Sequence, residues 1–497
     1  MERVQLAEAA AVIGAVAAPV LLLARNRLVF AAGLALFVAA QLGLAFALVP
    51  DELEELAASP ARLAAVSAGL VLLAAATLLL ARYPLAAPAL LLLAAPVRVP
   101  VSLRGEEAFL LVPFYGVLAA SVLALALRLA RGTELRPLPV FLAAPVSAYV
   151  ALAGLSLLWS ADPRAGAVNL FFFLFPGAIV VALLAQAELT RGVYRSLAVV
   201  LLASTAAVAA IGLWQQWTHT LFFADDLQAS NAYTSFFRVT SIFWDSSIYG
   251  RYVALGIVVL FVLLWDERLR PAFGLPLLGL LLAGLYFSYS QSSFVALFAA
   301  VLVVLLVASD RRTRRLVAVG AAVVLLVGAG LVAVVVQDES ARKATSGRWS
   351  LASRTAPVFA DHPIVGVGVG AQPVASTEVE GARRRESKNV SHTTPLTVAA
   401  ELGVLGLAAY TAFLLAAARS SFLALRREWA FGLALVGVLT LLLVHSLAYA
   451  GFFEDPFVWL AVGLAAACLA APEAARRTAP ARPEDAGAGP AVTSPSP

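Results

Sequence analysis

Lysine is almost missing from this chain: Lys343 and Lys388 stand against 33 arginines among 497 residues. That skew, in a chain so rich in Ala and Leu, reports genomic base composition rather than function. A single cysteine, Cys468, excludes any intramolecular disulfide. Four histidines and that one cysteine, without ligand spacing, argue against a structural metal. Charged residues make up only 13%, about half the share of a soluble domain, which excludes an ordinary water-soluble fold. The pI near 9.5 comes from loop arginines and does not indicate nucleic-acid binding. MERVQLAEAA has no basic region running into a cleavage site, so the first apolar run reads as a span and not a signal peptide. No internal repeat is visible, so an inverted-repeat transporter is not indicated.

What fills the chain instead is apolar sequence: 62% hydrophobic residues and a mean hydropathy of +0.90. The composition predicts an all-α, polytopic integral membrane protein. Predominantly apolar runs lie near 5–24, 28–49, 62–82, 84–97, 109–130, 138–159, 168–187, 195–214, 248–265, 272–289, 292–308, 316–336, 395–418, 430–450 and 456–471. Each is about long enough to cross a hydrocarbon core. The count is therefore about 14–15 spans, the weakest being 84–97, short and bracketed by prolines and open to a re-entrant reading.

Arginines orient the spans. They recur in alternate loops, from Arg25/Arg27 through the Arg311–Arg315 run to Arg476/Arg477, while intervening short loops such as Asp51–Glu55 are acidic or neutral. The positive-inside rule places the arginine-rich loops and the C-terminal tail in the cytoplasm. It places the long polar loop 337–394 on the extracytoplasmic face. Three divisions follow: N-terminal spans 1–137, a core 138–471 that includes the loop, and a Pro/Ala/Glu-rich tail 472–497 expected to be disordered.

A loop of nearly sixty residues is more than a spanning bundle needs, and it marks where chemistry at a membrane surface would sit. It carries SGRWSLASRTAPVFADHPIVGVGVG (Ser346–Gly370) and ends in SHTTPLTVAAELGVLGL (Ser391–Leu407). Three other segments share its face: Leu157–Asn169, Trp214–Ser247 running on to Arg251, and the turn Tyr289–Ser293. The Gly366–Gly370 run lacks the strand–turn–helix setting of a nucleotide loop and reads as a tight turn near substrate or membrane surface, or as a purely structural one.

With SLLWSADP, RVTSIFWDSSIYG, the S-x-S turn and FFEDPFVWLAVGL, these segments make the chain resemble the O-antigen ligase and O-antigen polymerase superfamily over about residues 138–471. Those proteins are bacterial membrane glycosyltransferases acting on undecaprenyl-diphosphate-linked glycans. The chain has Thr393 where the family has Asn after the loop-exit His, and more N-terminal spans. The resemblance implies transfer of a polyprenyl-diphosphate-linked glycan to an acceptor hydroxyl of a lipid core or of another glycan chain. It also implies residence in the bacterial inner membrane, with the site facing outward and no cofactor. The rival reading is a transporter or flippase of envelope glycans or small solutes. Such proteins place charges inside broken helices near the midplane, whereas this chain concentrates its polar residues in one loop. A peptidoglycan polymerase of the elongation machinery shares the membrane character but not the motif order.

On that resemblance His392 is the expected catalytic base. Thr394 suits an N-cap and Pro395 a first turn, so His392 sits just outside a helix N-terminus, whose dipole disfavours imidazolium. Arg238 and Arg348 map to arginines that hold diphosphate, as bidentate cations can without a metal. Arg354 is a further phosphate ligand candidate. Arg251, just inside a span, either supplements Arg238 or snorkels to the headgroups, the latter being favoured. Glu401 either pairs with a site arginine or orients His392. His445 is expected to hydrogen-bond backbone or Ser446, and His219 and His362 read as structural.

Overall fold

The structure, a computed structural model, describes residues 2–48, 59–103, 106–320, 348–379, 391, 393–449 and 451–470. Among them eleven helices are long and apolar enough to cross a membrane, and three more are apolar but shorter, Pro84–Ala94, Pro271–Phe287 and Pro456–Ala470. The all-α polytopic fold expected from composition is therefore present. Part of the expected span 316–336 and the whole tail 472–497 lie outside the described residues.

Helices begin where local chemistry starts them. Asp162, Thr190, Asp245 and Ser290 each accept a backbone N–H of the first turn with a side-chain oxygen, satisfying donors no helical carbonyl can reach. Proline occupies the first turn at Pro163, Pro271 and Pro395. One apolar core extends from Ala7 to Cys468, so the N-terminal helices pack into the same body as the rest; Glu2–Leu22, for instance, lies against Val140–Leu155.

The weak span 84–97 takes a different form. A three-residue turn Pro84–Ala86 leads into the eight-residue helix Ala87–Ala94, followed by an antiparallel hairpin of Val99–Leu103 with Glu106–Leu110. Such a helix rises only about 12 Å, short of the hydrocarbon thickness. Two other irregularities shape the interior. Helix Pro163–Asn169 passes through a π-type turn, Leu170–Leu174, before Phe175–Leu184. Gln41 Nε2 and Tyr115 Oη donate to the carbonyls of Phe171 and Phe172 there, at 3.0 and 2.7 Å, satisfying oxygens that a widened helix exposes in an apolar setting.

The second irregularity is the break at Gly403 in the helix Thr394–Leu425, where φ is 64° and ψ −159°. A regular helix would send the N–H of Val404 to the carbonyl of Ala400. Here Val404 N–H donates to Pro363 O at 2.8 Å, and the Ala400 and Glu401 carbonyls accept from Val367 and Gly368 at 3.0 and 2.8 Å. Pro363 and the Gly366–Gly370 segment thus replace these helical partners at the break.

Candidate active site

That docking decides the meaning of the glycine run. Gly366, Gly368 and Gly370 have φ of 68°, 93° and 77°, left-handed values that favour glycine. A Cβ at Gly368 would overlap the Ser160 backbone, and one at Gly370 the backbone of Ala165 and Gly166. Ala161 N–H donates to Val367 O at 3.0 Å, Ser156 Oγ accepts from Val369 N at 3.0 Å, and Ser160 Oγ donates to Val369 O at 2.9 Å. The run wedges the loop between residues 156–166 and the broken helix, and its Val369 and Gly370 also line a cavity.

The loop's exit is fixed from both sides. Gln372, buried, accepts the Ser391 N–H on Oε1 at 2.9 Å and donates from Nε2 to Thr355 Oγ1 at 3.0 Å and Ser376 Oγ at 2.8 Å. Beyond the exit, Thr393 Oγ1 donates to the Leu447 carbonyl at 3.3 Å. Thr393, rather than Thr394, is the N-cap of the helix, and its hydroxyl makes no capping bond, going to Leu447 instead. His392 itself lies outside the described residues; its neighbours Ser391 and Thr393 carry the two anchors. Arg348 opens the helix Arg348–Asp361, and its side chain lies outside them too. Arg354, on the same helix, is half-buried and engaged.

Next to this exit is a cavity of about 500 Å³. Its polar lining includes Asp162, Arg164, Thr394, Glu401 and Glu454, and Tyr149 and Phe453 supply aromatic wall, stacked on each other at 4.2 Å. The π-type turn contributes Phe173 and Leu174 to the same wall. Glu401 does not pair with an arginine among the described residues, as had been one expectation. The backbone amides of Gly370 and Gln372 lie near its carboxyl instead, because the docked glycine segment brings them there.

A second polar cluster adjoins it. Arg251 does not snorkel: only 8% of its side chain is exposed, and Nη2 lies 2.9 Å from Asp455 Oδ2. Helix Ser246–Trp265 is buried along most of its length, and Asp455, just before the helix Pro456–Ala470, takes the charge. The guanidinium also sits 5.8 Å from the Tyr449 ring centre. Arg98 packs over Trp244 at 4.6 Å, with Phe109 stacked against the same Trp at 5.2 Å. Burial pushes the Arg98 guanidinium down, and Asp455 opposes that shift. Burial raises the Glu454 carboxyl, with Arg98 and Arg251 pulling the other way.

Arg238 is half-buried and positioned through its backbone. Asn231 accepts its N–H at 3.1 Å and donates to its carbonyl at 3.0 Å, and its guanidinium lies 5.3 Å from the Phe236 ring. Three residues on, Ser241 has φ 54° and is held there by Gln215, which accepts its N–H at 2.6 Å. The Tyr289–Ser293 turn meets this segment, with Ser293 Oγ donating to Ser247 O at 3.3 Å. His445 finds Ser292 Oγ at 3.2 Å from its Nε2, a partner across 153 residues, in addition to the backbone or Ser446 that the sequence suggests; the Ser446 hydroxyl itself donates to Leu443 O at 2.7 Å. The sequence-distant segments meet in pairs: Leu157–Asn169 with the glycine segment of the loop, and Tyr289–Ser293 with the segment running on to Arg251.

Several residues of the site were not singled out from sequence: Gln372, Arg98, Arg164, Glu454 and Asp455. The last two lie in FFEDP, where nothing in the sequence alone assigns its carboxylates a role. For Gln372 no sequence signal was available. Among the described residues no group of three or more His, Cys, Asp or Glu could hold a metal ion. No curated protein matches the chain. Residues 276–411 match the family model described as O-Antigen ligase, a stretch that takes in Arg348, the docked glycine run, His392 and Glu401 and leaves Arg238, Arg251 and Glu454 outside. That match supports the resemblance of this part of the chain to the O-antigen ligase and O-antigen polymerase superfamily.

Proposed function

We propose that this protein transfers a polyprenyl-diphosphate-linked glycan to an acceptor hydroxyl, as a ligase or polymerase of cell-surface polysaccharide, at the extracytoplasmic face of the bacterial inner membrane. His392 takes the proton of the acceptor hydroxyl. The freed oxygen bonds to the anomeric carbon of the donor glycan as that carbon's bond to the diphosphate oxygen breaks. The electron pair leaves with the polyprenyl diphosphate. Arg238 and Arg348 hold the charge that develops there, with Arg354 in support; Arg251 acts only through its ion pair with Asp455. Glu401 lines the cavity in which the acceptor waits.

One observation carries the reading. The backbone on each side of His392 is tied to a different part of the fold, by Gln372 to the loop helices and by Thr393 to Leu447, beside a cavity of about 500 Å³. A base needs that kind of fixed approach to a bound hydroxyl. The test is the purified protein in nanodiscs with a polyprenyl-diphosphate glycan, an acceptor, EDTA and no nucleotide. The product is expected to form, with Ala at Arg238 or Arg348 lowering the rate about 10²–10³-fold and Lys restoring part of it. No transfer under any of these conditions would sink the reading; transfer lost in EDTA and restored by Mg²⁺ would replace the arginine mechanism with a metal-assisted one.

A further inference from the structure

Resting on the transferase reading above, we propose that the cavity is the acceptor-sugar subsite and that it takes a neutral or amino sugar, not an anionic one. Thr394 carries the argument for a ligand. It lines the cavity, is only 6% exposed, and its Oγ1 has no hydrogen-bond partner. A buried hydroxyl left unpaired is costly, and here a ligand hydroxyl is the available partner. Thr394 follows the proposed base, His392, by two residues in the sequence.

Charge carries the argument for the class. Three carboxylates, Asp162, Glu401 and Glu454, face the cavity against one guanidinium, Arg164. Arg164 makes no ion pair or hydrogen bond among the described residues. Arg98 and Arg251 also act on Glu454, Arg251 from its ion pair with Asp455. Glu401 and Glu454 both line the cavity. A carboxyl oxygen accepts hydrogen bonds, which suits the donor hydroxyls of a sugar. An ammonium beside the two carboxyls favours their ionised form, whereas a uronate disfavours it. Tyr149 and Phe453 present apolar surface for the sugar's C–H face.

The test uses the whole protein in nanodiscs without donor, so it reads binding and not transfer. Saturation-transfer NMR would measure the affinities of chitobiose (neutral), its de-N-acetylated form (cationic) and digalacturonate (anionic). The cationic disaccharide is expected to bind about five-fold tighter than the neutral one, the size of one partly screened ion pair, and digalacturonate not measurably. Glu454→Gln, outside the helices, should shrink that gap, and Thr394→Val should weaken the two binders about five- to ten-fold. Digalacturonate binding as tightly as chitobiose, a charge preference untouched by Glu454→Gln, or no binding of any of the three would overturn the proposal. Because no donor is present, each of these outcomes leaves the transfer reading to its own assay.

Discussion

Arg251 and Asp455 form an ion pair with 8% and 3% of their side chains exposed, Nη2 to Oδ2 2.9 Å, joining the first turns of one helix to the residue before another. Removing one partner strands a buried charge, at a cost of about 3–5 kcal/mol. Arg251→Met should therefore melt well below the wild type in detergent. The double variant Arg251→Met with Asp455→Leu should recover most of that stability, since paired removal is close to neutral. A single variant melting with the wild type would show that the pair carries no structural load.

Gln372 acts at one remove from the chemistry, as a positioning residue. Gln372→Ala frees Ser391 from Thr355 and Ser376, so His392 should lose its alignment. Transfer kinetics should show kcat reduced about 10–100-fold with KM nearly constant. A rise in KM at constant kcat would instead assign Gln372 to substrate binding.

The broken helix depends on Gly403. Its φ of 64° with ψ −159° is a conformation essentially closed to other residues, and an added Cβ would strike the Ile364 backbone. Gly403→Ala should cost at least about 1–3 kcal/mol and release the glycine segment. Limited proteolysis is the readout, with cleavage between His362 and Gly370 appearing in the variant only. Unchanged protection would mean that the docked segment does not need this break.

Sequence carried the fold class because apolar runs of membrane length survive any detail of packing. Arg238, Glu401 and the segments that meet at the site were visible because they lie in quoted motifs. The rest depended on partners far along the chain. Arg251 and Asp455 lie in separate motifs, Gln372 and Ser391 belong to different arms of the loop, and His445 reaches Ser292. A single sequence shows that a charge lies inside a span; it does not show what pairs with it. The hairpin after Ala94 was missed for another reason, since its strands follow an apolar run that satisfies the same hydropathy as a span.

Topology is open to a direct check. Asp361 is exposed at the end of its helix, and the arginine pattern puts it outside. Asp361→Cys should react with a membrane-impermeant maleimide in intact cells, in a background lacking Cys468. Ala479→Cys should react only after permeabilisation. Labelling of Ala479→Cys in intact cells would move the proposed site to the wrong face.

Whether His392 deprotonates the acceptor can be read from single-turnover transfer by purified His392→Ala, with a polyprenyl-diphosphate glycan and acceptor at saturating concentrations. The expected rate is lower than that of the wild type by about 10²–10⁴-fold, the usual loss of a general base, with donor binding and melting temperature unchanged. A wild-type rate from a folded His392→Ala protein would contradict the assignment of His392 as the base.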